Sequence, residues 1–188
     1  YYKNNSDEGV YHFYKEIITK VPKCKIILYN FEKLSSFLFK PELVKKLASD
    51  FPKNIIGVKD SSYNLYENLK IPNFLIFPGS EAKLVKSLEL GCAGCISAVT
   101  NVTHSIARKV FDDFEKKSPQ SMNTKLISVR EAFDKYHLIA ALHLFMSCSD
   151  KKYKNLLPPL VSLSDPEEKE LLTKLENLDF LPNKGMAA

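Results

Sequence analysis

Ile55-Ile56-Gly57-Val58-Lys59-Asp60-Ser61-Ser62 is the stretch on which the fold turns. It is apolar on consecutive positions and stops at a lysine, an acid and two hydroxyl residues. A run that does not alternate is covered on both faces, which is how a parallel strand between helices reads. Three more such runs occur: Cys24-Lys25-Ile26-Ile27-Leu28-Tyr29-Asn30, Phe74-Leu75-Ile76-Phe77 and Gly94-Cys95-Ile96-Ser97-Ala98-Val99-Thr100. Helical patterns separate them. Asp7 to Lys20 places Val10, Phe13, Ile17 and Ile18 on one face, and Pro41 to Phe51 has Pro in its first turn with Leu43, Val44 and Leu47 inward. Shorter helices are expected over Tyr63 to Leu69 and Ser80 to Leu90, and a longer one from His104 to Lys116. The run ends are spaced by 29, 20 and 22 residues (30 to 59, 59 to 79, 79 to 101), the size of a strand-loop-helix-loop unit. Four such units with right-handed crossovers leave a doubly wound sheet or part of a (β/α)8 TIM barrel.

Beyond residue 118 the strand pattern stops. Gln120 to about Cys148 reads as one long helical stretch set off by Pro119, and Leu156 to Leu160 as an extended linker. Ser164-Asp165-Pro166-Glu167 has the capping-box pattern that opens a last helix. The expected division is therefore 1–118 as the strand-and-helix domain, 119–182 as a helical extension and 183–188 as a frayed tail.

Composition narrows the function classes. With 188 residues, 45% hydrophobic and 26% charged, the chain can bury a core and is not disordered. No apolar run approaches 18 residues, so no membrane partner is expected. The net charge is +5, but Lys15, Lys20, Lys45, Lys46, Lys83, Lys86, Lys116 and Lys117 are scattered over helices and form no single stripe. A solvated basic surface is the expectation, and no nucleic-acid partner. Cys92 and Cys95 are the one cysteine pair at redox or metal spacing; with no second pair, buried reduced thiols are expected, and no metal site. The opening Tyr1-Tyr2-Lys3-Asn4-Asn5 carries no secretion signal, so a cytoplasmic location is expected. The missing initiator Met suggests a chain that begins in mid-protein.

Ligands of parallel α/β folds gather at the carboxyl ends of the strands. Those ends are Tyr29-Asn30, Lys59 to Ser62, Gly79-Ser80-Glu81 and Thr100-Asn101. Lys59 stands out, because its Cα belongs to an apolar run. Either its side chain snorkels to solvent, or partial desolvation disfavours the ammonium and frees an amine that can attack a ketone. Tyr29 at the neighbouring strand end favours the second, since a phenol beside an amine can move the protons of Schiff-base formation and aldol cleavage. No Gly-x-Gly-x-x-Gly, Walker loop, His-Glu-x-x-His or Gly-x-Ser-x-Gly competes. His12, His104, His137 and His143 read as surface or packing residues.

Taken in order, Tyr1-Tyr2, Glu8-Gly9-Val10-Tyr11, Leu28-Tyr29-Asn30, Gly57 to Ser62, Gly79-Ser80-Glu81 and Leu90 to Ser97 make a pattern that resembles the pyruvate-dependent class I aldolases. That superfamily holds dihydrodipicolinate synthase and N-acetylneuraminate lyase. Pro158-Pro159-Leu160 with Ser164-Asp165-Pro166-Glu167-Glu168 is similar to the archaeal 2-keto-3-deoxygluconate aldolases. The resemblance implies a (β/α)8 barrel with a C-terminal helical extension, this chain supplying the C-terminal half, strands 5 to 8. It implies a homotetramer built from dimers, with 2-keto acid and aldehyde substrates.

Carried over by position, Lys59 forms the Schiff base and needs no further cofactor, Tyr29 shuttles protons, and Tyr2 reaches a partner's site across the dimer. Ser61, Gly79, Ser80 and Phe31 line the substrate. The implied reaction is reversible cleavage of 2-keto-3-deoxygluconate to pyruvate and glyceraldehyde. Other lyases and synthases of the family, and a non-catalytic 2-keto-acid binder, are the alternatives. A protonated imine does the electron-sink work of a Lewis acid, so the resemblance implies no metal. Three positions depart from the pattern. Glu32 stands where Tyr-Asn-x-Pro has its proline, and Leu34 where dihydrodipicolinate synthases have an arginine. Phe31 stands where aldolases of phosphorylated substrates have a tyrosine, which suggests preference for the plain sugar acid. The residue pair that grips the pyruvate carboxylate is expected upstream of Tyr1.

Overall fold

The computed structural model describes residues 5–181, which fall into two compact units divided between Ile96 and Ser97. The division drawn from sequence lay at 118/119. Tyr2 and the tail 183–188 lie outside the described residues.

The first unit opens with α1 (Asp7–Lys20). The Ser6 hydroxyl accepts the Gly9 N–H at 3.0 Å, and Asp7 and Glu8 sit where the helix dipole favours negative charge. Ile18 is buried, and Val10, Tyr11 and Tyr14 pack on the core. Phe13, expected on that inner face, is instead 59% exposed. Then follow β1 (Ile26–Asn30), the one-turn α2 (Glu32–Ser35), α3 (Pro41–Asp50), β2 (Ile55–Asp60), β3 (Leu75–Pro78), a 3-10 turn Glu81–Lys83 and α4 (Leu84–Glu89). The strands are parallel in the order β1-β2-β3, as the runs predicted. Side chains alternate across a strand. Leu28, Val58 and Ile76 face the helices and join Leu43, Val44, Leu47, Leu65, Tyr66 and Leu69 in one core. The opposite face was expected to be covered too, but Ile27, Tyr29 and Leu75 are 40–43% exposed.

Three elements of this region differ from expectation. Residues 63–69 form turns, because the N–H groups of Tyr63, Leu65 and Tyr66 bond the Asp60 carboxylate and leave no helical ladder. The helix expected over Ser80 to Leu90 begins as a 3-10 turn and becomes α-helical at Leu84. The fourth strand does not form. Its segment makes two backbone bonds to β3, Ala93 N–H to Ile76 O and Ile96 N–H to Pro78 O. Gly94, at φ 145°, breaks the extended backbone that a ladder needs.

The second unit is helical. It holds α5 (Thr100–Glu115), α6 (Asn123–Asp134), α7 (Leu138–Ser147), a 3-10 turn Lys151–Lys154 and α8 (Asp165–Asn177). Thr100-Asn101, read as a strand end, opens α5. The single stretch expected over 120–148 is two helices, since His137 takes an extended conformation between them. Neither Gly nor Pro marks that break. The linker Leu156 to Leu160 contains a turn closed by Leu160 N–H to Leu157 O. Val129, Phe133, Ala141, Phe145, Leu171 and Leu175 form the core, with the Phe145 and Phe180 rings stacked at 5.1 Å. The capping box forms as read: Glu167 accepts the Ser164 N–H at 2.8 Å.

The carboxylate of Asp113 is 3% exposed and joins the end of α5 to the start of the next helix. Lys109 and the Ser121 hydroxyl hold its pKa down at about 2, from an ordinary 3.8. A depressed carboxyl stabilises the fold above its unfolded pKa and loses that effect as pH falls through the folded one. Asp113→Asn is therefore expected to lower the thermal midpoint at pH 7 and to flatten its fall between about pH 4 and 2. Thermal melts across that range check it; an unchanged slope in the variant contradicts it.

Candidate active site

Of the residues singled out at strand ends, those that close β1, β2 and β3 meet at the carboxyl edge of the sheet. Tyr29, Lys59 and Phe77 occupy one row of the ladder, and Asn30, Asp60 and Pro78 the next. In the first row the Lys59 Nζ lies over the Tyr29 ring, 4.2 Å from its centroid, a cation–π contact. Lys59 is half-buried and Tyr29 is 43% exposed, so both reach the same solvent-facing side. The contact is made by the ring face, leaving the hydroxyl available for other partners.

Phe31 packs its ring 5.9 Å from that of Tyr29. The turn that lacks the proline is closed by α2 and by the Glu32 N–H donating to the Ser62 hydroxyl at 3.0 Å. Leu34 projects from this turn and is 69% exposed. Ser61 and Gly79 touch: a Cβ on Gly79 would lie 2.2 Å from the Ser61 Oγ, so no side chain fits there. Ser80 is buried, and its hydroxyl caps the next turn by accepting the Ala82 N–H at 3.3 Å. A cleft of about 300 Å³ opens beside Tyr29, walled by Val10, Phe13, Tyr14, Phe37 and Phe39. Burial pushes the Tyr14 hydroxyl pKa up.

The second row carries residues that the sequence reading named as strand ends and gave no role. Asn30 and Asp60 are both fully buried. The Asn30 amide donates to the Asp60 carboxylate at 2.8 Å and to the Asn64 carbonyl at 2.7 Å, while its own carbonyl accepts the Phe39 N–H at 3.1 Å. Asn64 closes the ring by donating to the Phe39 carbonyl at 2.9 Å. Asp60 accepts three more bonds, from the N–H groups of Tyr63, Leu65 and Tyr66. Glu81, just past β3, is also fully buried. Polar residues ending two adjacent apolar runs in the same register were the available signal.

Cys92 is buried, its thiol pKa raised by desolvation, and Cys95 is half-buried. Among the described residues, no three His, Cys, Asp or Glu side chains are placed to hold a metal. No helix there is long and apolar enough to cross a membrane.

The chain is similar to known proteins. The chain is 34% identical over 113 residues to the 2-dehydro-3-deoxy-D-gluconate/2-dehydro-3-deoxy-phosphogluconate aldolase of Picrophilus torridus, covering 57% of this chain and 41% of that one. It is 27% identical to the 4-hydroxy-tetrahydrodipicolinate synthase of Thermus thermophilus, covering 100% of this chain and 65% of that one. The chain thus spans less than two-thirds of the length of either relative. The fold matches YagE of E. coli K12, a prophage protein of the dihydrodipicolinic acid synthase family solved with pyruvate, at a TM-score of 0.83 and 23% identity, over 96% of this chain and 64% of that one. It also matches a Sulfolobus solfataricus 2-keto-3-deoxygluconate aldolase variant at 0.78 and 19%, over 95% and 62% of the two chains. The dihydrodipicolinate synthetase family pattern runs through residues 1–178, and with the strand-end geometry in place the chain belongs to that family.

Proposed function

We propose that this chain carries the Schiff-base site of a pyruvate-dependent carbon–carbon lyase, its parallel strands forming part of a (β/α)8 barrel. The observation that carries the proposal is the pairing of Lys59 with Tyr29 in one ladder row, amine over phenol ring at 4.2 Å. The amine adds to the ketone carbon of a 2-keto acid, and loss of water leaves a protonated imine. The Tyr29 phenol takes the proton of the hydroxyl on C4 as it hands its own proton to solvent, the C3–C4 bond breaks, and the bond's electron pair flows into the imine. The aldehyde leaves, the resulting enamine is protonated at C3, and hydrolysis of the imine frees pyruvate and Lys59.

The favoured substrate is 2-keto-3-deoxygluconate. Similarity to the Picrophilus aldolase supports this, as does Leu34, whose exposed hydrocarbon side chain cannot pair with the carboxylate of an aspartate-semialdehyde substrate. Phe31 beside Tyr29 offers no hydroxyl to a phosphate, which favours the plain sugar acid. Ser61, seated against the bare backbone of Gly79, offers a hydroxyl to the substrate tail. Tyr2 completing a neighbouring site within a dimer or tetramer belongs to the same proposal. Other 2-keto acids of the family are the second reading, favoured by the synthase relatives.

Borohydride reduction of the intact protein with pyruvate is expected to place one pyruvyl adduct on Lys59, located by peptide mass analysis. Lys59→Arg abolishes the adduct and lowers turnover by more than about 10³-fold. An adduct on another lysine, or full activity in the variant, overturns the proposal. Cleavage of the plain sugar acid is expected to exceed that of its phosphorylated form by about tenfold in kcat/KM. Equal efficiency removes the role given to Phe31.

A further inference from the structure

We propose that Asp60 and Asn30 are positioning residues for the imine step, acting through Lys59 and Tyr29 and touching no substrate. The proposal rests on Lys59 being the Schiff-base lysine. Each of the two residues directly follows a reacting one, and strand alternation turns it to the helix-facing side. Their 2.8 Å side-chain bond therefore ties β1 to β2 one row beyond the amine and the phenol. The backbone reinforces that row. The Asn30 carbonyl accepts the N–H groups of Ser61 and Ser62, at 2.9 and 3.2 Å, so the chain after Lys59 is drawn back over the end of β1. Asp60 then gathers the N–H groups of Tyr63, Leu65 and Tyr66, and its own carbonyl accepts that of Gly79 at 2.9 Å.

One buried carboxylate thus holds both strand ends and the loop that Lys59 starts. Every hydrogen of the Asn30 amide is used, and both Asp60 oxygens accept two bonds. A satisfied buried network of this kind has one arrangement, and a half-satisfied one has several. A misplacement of about 1 Å in a reacting group costs about 100-fold in rate. Fixing the spacing and twist of these two strand ends is what keeps the amine beside the phenol.

Asp60→Asn keeps the shape and turns one oxygen into a donor, which then opposes part of the N–H set. The readout is the initial rate of borohydride-trapped pyruvyl adduct at saturating pyruvate, divided by the final extent of trapping, which counts competent sites. A merely structural role lowers the extent and leaves the rate per site unchanged. For Asp60→Asn the expected rate per site falls about 10- to 100-fold, with kcat falling in step and KM changing less than about threefold. Asn64→Ala removes one exposed arm of the network and keeps the fold available if Asp60→Asn does not fold; its expected loss is about 3- to 10-fold. A wild-type rate per site in a folded variant overturns the positioning role alone. A wild-type protein that traps no pyruvate on Lys59 overturns the Schiff-base assignment first, and this proposal with it.

Discussion

A single cross-strand bond, Asn30 to Asp60 in the buried last row of the two strands, is the constraint on which the rest of the site depends. Parallel strands have no hairpin to set their register, and a slip of one residue turns every side chain to the other face. At this edge a slip would turn Lys59 into the helical core and bring an acid out in its place. The buried polar pair opposes that slip, because moving it separates a charge from its donors in a medium of low dielectric. The same carboxylate organises residues 61–66, so strand register and loop shape form one unit.

That dual use explains where the sequence was legible and where it was not. Apolar runs located three strands within a residue or two, and α1 spans Asp7–Lys20 as its pattern predicts. Lys59 and Tyr29 were visible as strand-end residues, and the structure places them in one row. The tertiary use of the residues between was hidden. Tyr63 to Leu69 has helix-compatible composition, and what prevents the helix is a carboxylate outside the segment. Gly94 sits in a run that reads as strand, and its backbone conformation ends the ladder. Phe13 keeps helical spacing with Val10 and Ile17, yet Tyr14 takes the inward place against Phe39.

The two helix faces of the second unit show the complementary case. Ser164 and Glu167 cap α8 as their spacing predicts, because both partners are local. Asp113 reaches Lys109 on its own helix, which i,i+4 spacing anticipates, but also Ser121 beyond the helix end, which it does not. Local pairings read from sequence; pairings that close loops do not.

Lys59 over the face of Tyr29 gives the functional account its testable core. In the proposed site the ring face holds the Lys59 side chain in place and leaves the phenol hydroxyl to exchange protons with a substrate beside it. The most direct measurement is a crystal structure of the intact protein soaked with pyruvate. Density continuous from the Lys59 Nζ to the pyruvate C2, with the Tyr29 hydroxyl within hydrogen-bond reach of the adduct, is the predicted result. Pyruvate bound away from the strand ends, with the Lys59 amine unmodified, would contradict the account.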